Sequence, residues 1–551
     1  MSSDVSNGLT RRDALRAGAG AAGGLAFAGG LLGRAIEAMG APARIGEGPY
    51  GPLGAPDANG LRLPAGFTSR VLARSNTNIG PRNYRFHPLP DGMGTFKMKD
   101  GGFILTSNSE APNLPGIDGD FYETGTGAIR FDKDFNVTDA YRILEGTQIN
   151  CAGGVTPWGT WLSCEEVERG QVYECDPEGK KPFTVDGVSS NQIARPAMGV
   201  FKHEACCVDP VGKQAYLTED VGDGCLYRFT PKNYPDLSEG RLDVAVVRED
   251  GKVDWVELPD PQYTGETATR RQVDEATTFR RGEGMWFDDG TVYFATTQDD
   301  RVYAYHPEST YLEVLYDGVA LGDDAPLHDT DNVTVSPISG DLYVCEDPGG
   351  SSDEGMQVCI ISAEGEAAAF CEVSVEGHSS SELTGPVFDP TGSRLYFTSQ
   401  RARFPGETMA NGIIYEISGP FRKTRKDPDP PLDRKKPKLK VRTLGKPTLR
   451  GLIRKGQPFM LEVRDESTPI QVEAKLIGPL RRARGRGSRQ VTLGRKKLTL
   501  RKAGRKRIHM RVNKGLKKRL RKRHVAQARL VVTATDAAGN RTKAVKRVSF
   551  R

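Results

Sequence analysis

The sequence lacks several features that would settle its class at once. It has no apolar run of about 20 residues, so no ordinary membrane-spanning helix is expected. Its nine cysteines form no CxxC pattern, which excludes the common zinc-ribbon and zinc-finger spacings. No serine or threonine stands out as a phosphoryl acceptor. The basic runs near the C-terminus carry no interleaved aromatics, which argues against specific single-strand nucleic-acid binding. Hydrophobic content is low at 37 %, compatible with a β-rich globular chain.

What is present is divided by charge. The 551 residues carry a formal charge of +6. Residues 421–551 hold 43 Lys+Arg against 8 Asp+Glu, and the remainder holds 34 against 63. An acidic body favours hard cations such as Ca²⁺. A basic tail favours polyanions.

The first 43 residues read as an address. Thr10-Arg11-Arg12-Asp13-Ala14-Leu15 precedes a weakly apolar Gly/Ala-rich stretch from Ala17 to Leu32, and Ala41-Pro42-Ala43 offers small residues for cleavage. Paired arginines before a mild hydrophobic core match a twin-arginine export signal. A periplasmic, envelope-associated or extracellular location follows as an expectation. The competing reading is a Gly-rich leader that is not exported.

A repeat runs through residues 44–420. Alternating aromatic and β-branched runs end in an acid or amide: GGFILTSNSE, GTWLSCEE, KQAYLTED, TVYFATTQDD, GDLYVCED and SRLYFTSQ. Second runs follow most of them: GAIRFD, QVYECDP, GCLYRFTP, RVYAYHP, MQVCIIS and GIIYEIS. Short runs such as ACCVDPVGK, MWFDDGT, VTVSPISGD and PVFDPTGS come before the hairpins. Six units of this period predict a six-bladed β-propeller.

In such a fold the starts of the innermost strands converge on one end of the central channel. These positions hold Cys151, Glu204, Glu283, Asp331 with Asn332, and Glu382, with His87 or Asp91 for the first unit. Converging carboxylates are costly to desolvate unless protonated or metal-bound. A thiolate among them points to a metal softer than Ca²⁺ for part of the centre. His203, beside Glu204, reads as a ligand, an orienting group or a core histidine. Arg281 lies two residues before Glu283. An extended backbone would turn both the same way and leave a guanidinium to grip phosphate oxygens. The other reading of Arg281 is a surface salt bridge.

The motifs NCAGGVTPWGTWLSCEE, FKHEACCVDP, LTEDVGDGCLYRF, GEGMWF and DNVTVSP resemble the blade motifs of PhoX-type alkaline phosphatases. LPAGFTSRVLARS and FHPLPDGMGTF resemble that family's opening segment, so the resemblance spans roughly residues 60–420. It implies a secreted phosphatase of phosphate monoesters on a six-bladed propeller, using calcium and an iron pair with a cysteine ligand. Carried over by motif, Cys151 would be the iron-bound thiolate, Glu204 and Glu283 iron or shared ligands, and Arg281 the phosphate contact. Glu110, Glu166, Asp331 and Glu382 are expected at the remaining calcium sites, mainly from the repeat. Alternatives from other classes are a calcium-dependent propeller lactonase or phosphotriesterase, and a non-enzymatic calcium-binding envelope protein. Neither needs a thiolate.

Residues 421–437 read as a basic Pro-rich linker. Residues 438–551 alternate in QPFMLEVRD, TPIQVEAKLIG, KKLTLRK, KRIHMRV and ARLVVTATD, as expected of a small immunoglobulin-like β-sandwich. Its basic runs RRARGRGSR and KGLKKRLRKRH suit an anionic wall polymer or lipid surface, or simply a solvated basic face.

Overall fold

The computed structural model describes residues 42–112, 124–349, 355–407, 411–423, 438–464, 470–481, 488–500, 502–521, 527–535 and 541–550. The export signal lies almost wholly outside the described residues, and so does most of the linker. The chain divides into two compact units, residues 1–426 and 427–551. Among the described residues no helix is long and apolar enough to cross a membrane.

The first unit is all-β and propeller-like: six sheets follow one another round a ring, antiparallel except where Arg44–Ile45 joins the fifth in parallel with Glu366–Val373. Their innermost strands are Pro90–Lys97, Asn150–Val155, His203–Asp209, Gly282–Asp288, Thr330–Val335 and Leu383–Phe388. Each packs beside the next, and the sixth packs beside the first. The second strands are Phe103–Ser109, Trp161–Glu165, Gln214–Glu219, Thr291–Thr296, Leu342–Glu346 and Arg394–Ser399. The last sheet takes its outer strand, Thr68–Arg74, from the start of the unit, where it pairs with Ile413–Ser418. The two ends of the unit are thereby tied into one sheet, which closes the ring.

The core is divided among the six interfaces between neighbouring sheets. Phe96, Ile104 and Trp161 fill the first; Leu162, Cys206 and Phe229 the second; Phe294, Tyr216 and Leu226 the third. Val302 with Val344, Tyr343 with Phe397, and Leu105 with Tyr396 mark the other three. All nine cysteines are free and buried, so none is in a disulfide. Most pack as small apolar groups in the sheets.

The innermost strands approach one another closely at their third residues: Gly92, Ala152, Ala205, Gly284, Asn332 and Gly385. A Cβ on Gly92 would lie 2.5 Å from Ala152 Cα, and one on Gly284 2.4 Å from Asn332 Cα. No real side chain tolerates such contacts with backbone, so glycine sets the ring's narrowness there.

The second unit holds two sheets. One is ordered Lys438–Thr443, Gln457–Arg464, Gly504–Met510; the other Ser488–Leu500, Ile470–Arg481, Gln527–Thr535, Arg541–Ser549. Phe459, Leu461, Val472, Leu476, Leu530 and Val532 form its core. Two short helices, Leu449–Arg454 and Lys514–Arg521, were not apparent from strand periodicity. Most of RRARGRGSR and the end of KGLKKRLRKRH lie outside the described residues.

Candidate metal centre

One backbone device recurs in every sheet of the ring. The register between first and second strands slips near the start of the inner strand, a β-bulge that leaves its second residue unpaired in five sheets; in the sixth, Thr384 pairs with Thr398 and the slip follows it. Those second residues are Asp91, Cys151, Glu204, Glu283, Asp331 and Thr384. Five of the six can bind a metal. The residue that follows each second strand forms another ring: Glu110, Glu166, Asp220, Thr297, Asp347 and Gln400.

Backbone hydrogen bonds hold the two rings together. The amides of Glu110, Glu166, Thr297, Asp347 and Gln400 donate to the carbonyls of Leu89, Ile149, Arg281, Asp329 and Glu382, the residues just before the inner strands, at 2.8–3.1 Å. Four of those acceptor residues are left-handed: Leu89, Ile149, Arg281 and Asp329 have φ of 46°, 45°, 55° and 48°. Strain of this kind costs about 1–3 kcal/mol per residue and persists only where the surroundings enforce it.

The ligand atoms fall into three overlapping groups, each with its atoms within 4.8 Å of one another. They are Asp91–Glu110–Cys151, Cys151–Glu166–Glu204 and Glu204–Glu283–Asp331. Cys151 and Glu204 are shared, and Cys151 Sγ lies 3.2 Å from Glu204 Oε1. Glu204 Oε2 is buried with no hydrogen-bond partner. A buried carboxylate oxygen left bare, within reach of a thiol and other carboxylates, fits a site that holds cations. The donor set fits the chemistry too: hard oxygens for calcium and one soft sulfur for a transition metal.

Without a cation, burial governs titration. It pushes Asp91 up to about 6 and Glu166 up to about 7. Burial, reinforced by neighbouring acids, also raises Glu110, Glu204, Glu283, Asp331 and the Cys151 thiol. These groups hold protons in the folded chain that the unfolded chain would release. The metal-free protein is therefore expected to lose stability as pH rises from about 4 through 7. Cations displace those protons, so metal uptake releases acid and removes the trend. Thermal melting at pH 5 to 8, with and without chelator, checks this; a chelated protein that gains stability toward pH 8 contradicts it.

Three cations border the acids. Lys202 Nζ contacts Glu166 Oε1 at 2.5 Å and donates to the Asp220 carbonyl at 2.9 Å. Arg281 donates from Nε and Nη2 to the two Asp220 oxygens at 2.8 and 3.0 Å, with Glu283 at 3.2 Å. Arg401 donates to Glu382 and, at 2.6 Å, to Gln400 Oε1. Burial works against the Arg281 cation, but Glu283 and Asp220 outweigh it and hold it charged. Burial likewise raises Asp220, yet Arg281 and Lys202 hold its carboxyl below the usual range. The three side chains remain 25–30 % exposed, so they face both the acids and solvent.

Several expectations need correction. Arg281 is not extended; its left-handed backbone, not strand alternation, brings its guanidinium to Glu283. Glu382 precedes its inner strand and belongs to none of the three groups; it pairs with Arg401, and Thr384 occupies the equivalent position. Thr384 donates to Asp91 Oδ1 at 2.9 Å. His203 turns away: its ring packs on Phe201, and Nε2 meets the Gly199 carbonyl at 3.0 Å. For the first sheet Asp91 takes the position, while His87 pairs with Ser107 at 3.1 Å. Asn332 donates to Asp331 at 2.8 Å. The acids ending TVYFATTQDD serve the loop, Asp299 meeting Thr296 and Asp300 the Asp329 amide, while Thr297 donates to Glu283. Sequence reading missed Lys202 and Arg401, which carry no repeat signal.

The family described as "Alkaline phosphatase PhoX" matches residues 123–402, just over half of the chain. The chain belongs to the alkaline phosphatase PhoX family. That family is one of metal-dependent phosphatases, and the match covers all six sheets in whole or part, together with every member of the three ligand groups except Asp91 and Glu110. No curated protein matches the chain in sequence. Among solved structures, regucalcin from Agrobacterium tumefaciens is similar at 15 % identity and TM-score 0.31, covering 65 % of this chain and 98 % of its own. The Dos1 propeller is similar at 10 % identity and TM-score 0.30, with coverage of 65 % and 98 %. A nidogen/laminin complex is similar at 13 % identity and TM-score 0.30, covering 55 % and 92 %. These overlaps are too low to carry an argument.

Proposed function

We propose that this PhoX-family chain is an exported phosphatase that hydrolyses phosphate monoesters at one end of a six-bladed β-propeller, with calcium and iron as its metals. The observation that carries this reading is the run of three ligand groups linked through Cys151 and Glu204. A lactonase or phosphotriesterase centre built on calcium alone has no use for a thiol at its middle.

Cys151, Glu204 and Glu283 would hold iron; Glu110, Glu166 and Asp331, with Asp91, would hold the remaining cations. Bound metals would supply Lewis acidity toward the phosphoryl oxygens. Arg281, held by Asp220 through Nε and Nη2, would turn the rest of its guanidinium toward the substrate phosphate. Lys202 and Arg401 add positive charge at the same rim, and Glu382 acts by holding Arg401 in place. The hydroxyls of Thr297 and Thr384 are committed to Glu283 and Asp91, so neither serves as a phosphoryl acceptor.

The C-terminal unit is read as immunoglobulin-like. Its first, second and fifth strands form one sheet and the other four the second. Export by the twin-arginine route and retention at an anionic wall or lipid surface complete the proposal.

The test is hydrolysis of a chromogenic phosphomonoester by the purified chain, with elemental analysis of the same sample. Turnover at alkaline pH that disappears on chelation, with iron and calcium bound, supports the reading. No turnover from a sample that retains both metals overturns it.

A further inference from the structure

The charge of the C-terminal unit is arranged, not merely abundant. On the three-stranded sheet, Leu439, Val441, Phe459, Leu461, Val463 and Ile508 point into or against the core. Alternation then sends the intervening residues outward. Strand register lines them up in rows: Lys438 opposite Arg464; Lys440, Glu462 and Arg505; Arg442, Met460 and Arg507; Pro458 and His509. Six cations meet one carboxylate on this face, and each of the six is exposed. Glu462 pairs with Arg464 at 2.9 Å and lies 3.6 Å from Arg505. Lys440, Arg442 and Arg507 face no second acid among the described residues of the sheet.

The spacing is regular. Outward residues repeat about every 6.8 Å along a strand and about 4.8 Å across strands. Cations held in a flat grid suit a chain of regularly spaced anions. Four of the six are arginines, whose fork matches phosphate oxygens better than a point charge does. The unit contains no Trp or Tyr and Phe459 is fully buried, so the one exposed ring on this face is His509, and no row of large aromatics is there to stack successive bases. The face also lacks the exposed apolar side chains that would enter a bilayer.

The opposite sheet carries as many cations but breaks them up. Its outward cations Lys475, Arg495, Lys497, Arg529, Lys543 and Arg547 are interleaved with Ile477, Val531 and Val545, and Glu473 engages both Lys475 and Arg495.

We propose that the face formed by Lys438–Thr443, Gln457–Arg464 and Gly504–Met510 binds a base-free linear phosphodiester polymer of the polyol-phosphate type. Such a polymer lays consecutive phosphates along the rows of Lys440, Arg442, Arg505 and Arg507. This stands whether or not the ring of sheets is a phosphatase. It also narrows the partner from anionic envelope surfaces in general to one backbone chemistry.

The test is binding of the full chain to poly(glycerol phosphate) by fluorescence anisotropy across a salt series. Binding is expected to weaken steeply between 50 and 200 mM salt, roughly in proportion to the number of neutralised phosphates. The triple variant Lys440→Glu, Arg442→Glu, Arg507→Glu is expected to lose tenfold or more in affinity. The matched triple Lys497→Glu, Lys543→Glu, Arg547→Glu on the other sheet is expected to stay within about twofold. Circular dichroism melting of both variants, and hydrolysis of a small phosphomonoester, are expected to match the parent. Equal losses from the two triples, or tighter binding of oligo-dT or of phosphatidylglycerol vesicles than of poly(glycerol phosphate), would overturn the proposal.

Discussion

Replacing Cys151 with serine is expected to lower phosphomonoester turnover by about a hundredfold or more and to strip iron from the protein while leaving calcium. The residue belongs to two of the three ligand groups and touches Glu204, which links the second group to the third. Losing a group that merely supports a metal ligand commonly costs ~10–100-fold, so loss of the ligand itself belongs at or beyond the upper end. Serine fills nearly the same space and still donates to Glu204 Oε1. The metal-free fold is therefore expected to melt within about 1 kcal/mol of the parent, the usual scale of a retained hydrogen bond. That pairing of outcomes separates chemistry from folding. A serine variant with parental turnover and parental iron would show that the sulfur is not a ligand, and would return the calcium-only hydrolases to consideration.

The legible part of this centre was its periodicity. Cys151, Glu204, Glu283 and Asp331 announced themselves because each is a polar residue at the same point of a repeated strand pattern, and Glu110 and Glu166 because each ends a repeated apolar run. Glu382 misses the position by two residues: the inner strand begins at Leu383, which makes Thr384 its second residue, sets the bulge just beyond, and leaves Glu382 outside. Alternation cannot report a bulge, since a bulge is the place where alternation fails. Lys202 and Arg401 were illegible for a different reason. Each reaches the acids through a long side chain from a residue beside the repeated position, and nothing local marks it. The closing strand Thr68–Arg74 was likewise invisible as a strand of the last sheet, because its partner lies some 345 residues away.

Arg281→Gly is expected to reduce turnover by about 10²–10³-fold, the scale seen when one preorganised donor to a developing oxyanion is removed. Glycine is the informative substitution here because φ at this residue is 55°. Alanine would leave the backbone penalty in place; glycine removes it. Against that relief stands the loss of the guanidinium from Asp220, Glu283 and Asp347, which lie 2.8, 3.2 and 3.9 Å away. In the metal-loaded protein the cations neutralise Glu283, so the net change in melting is expected to be small, while the metal-free variant melts earlier than the metal-free parent. Arg281→Lys keeps the charge but not the fork that spans both oxygens of Asp220. It is expected to recover no more than a small fraction of the lost turnover, with the deficit in kcat and with inorganic phosphate inhibiting less strongly. Arg281→Gly with full activity would reduce this residue to a salt bridge that orders the acid ring, and phosphate recognition would then have to rest on Lys202 and Arg401.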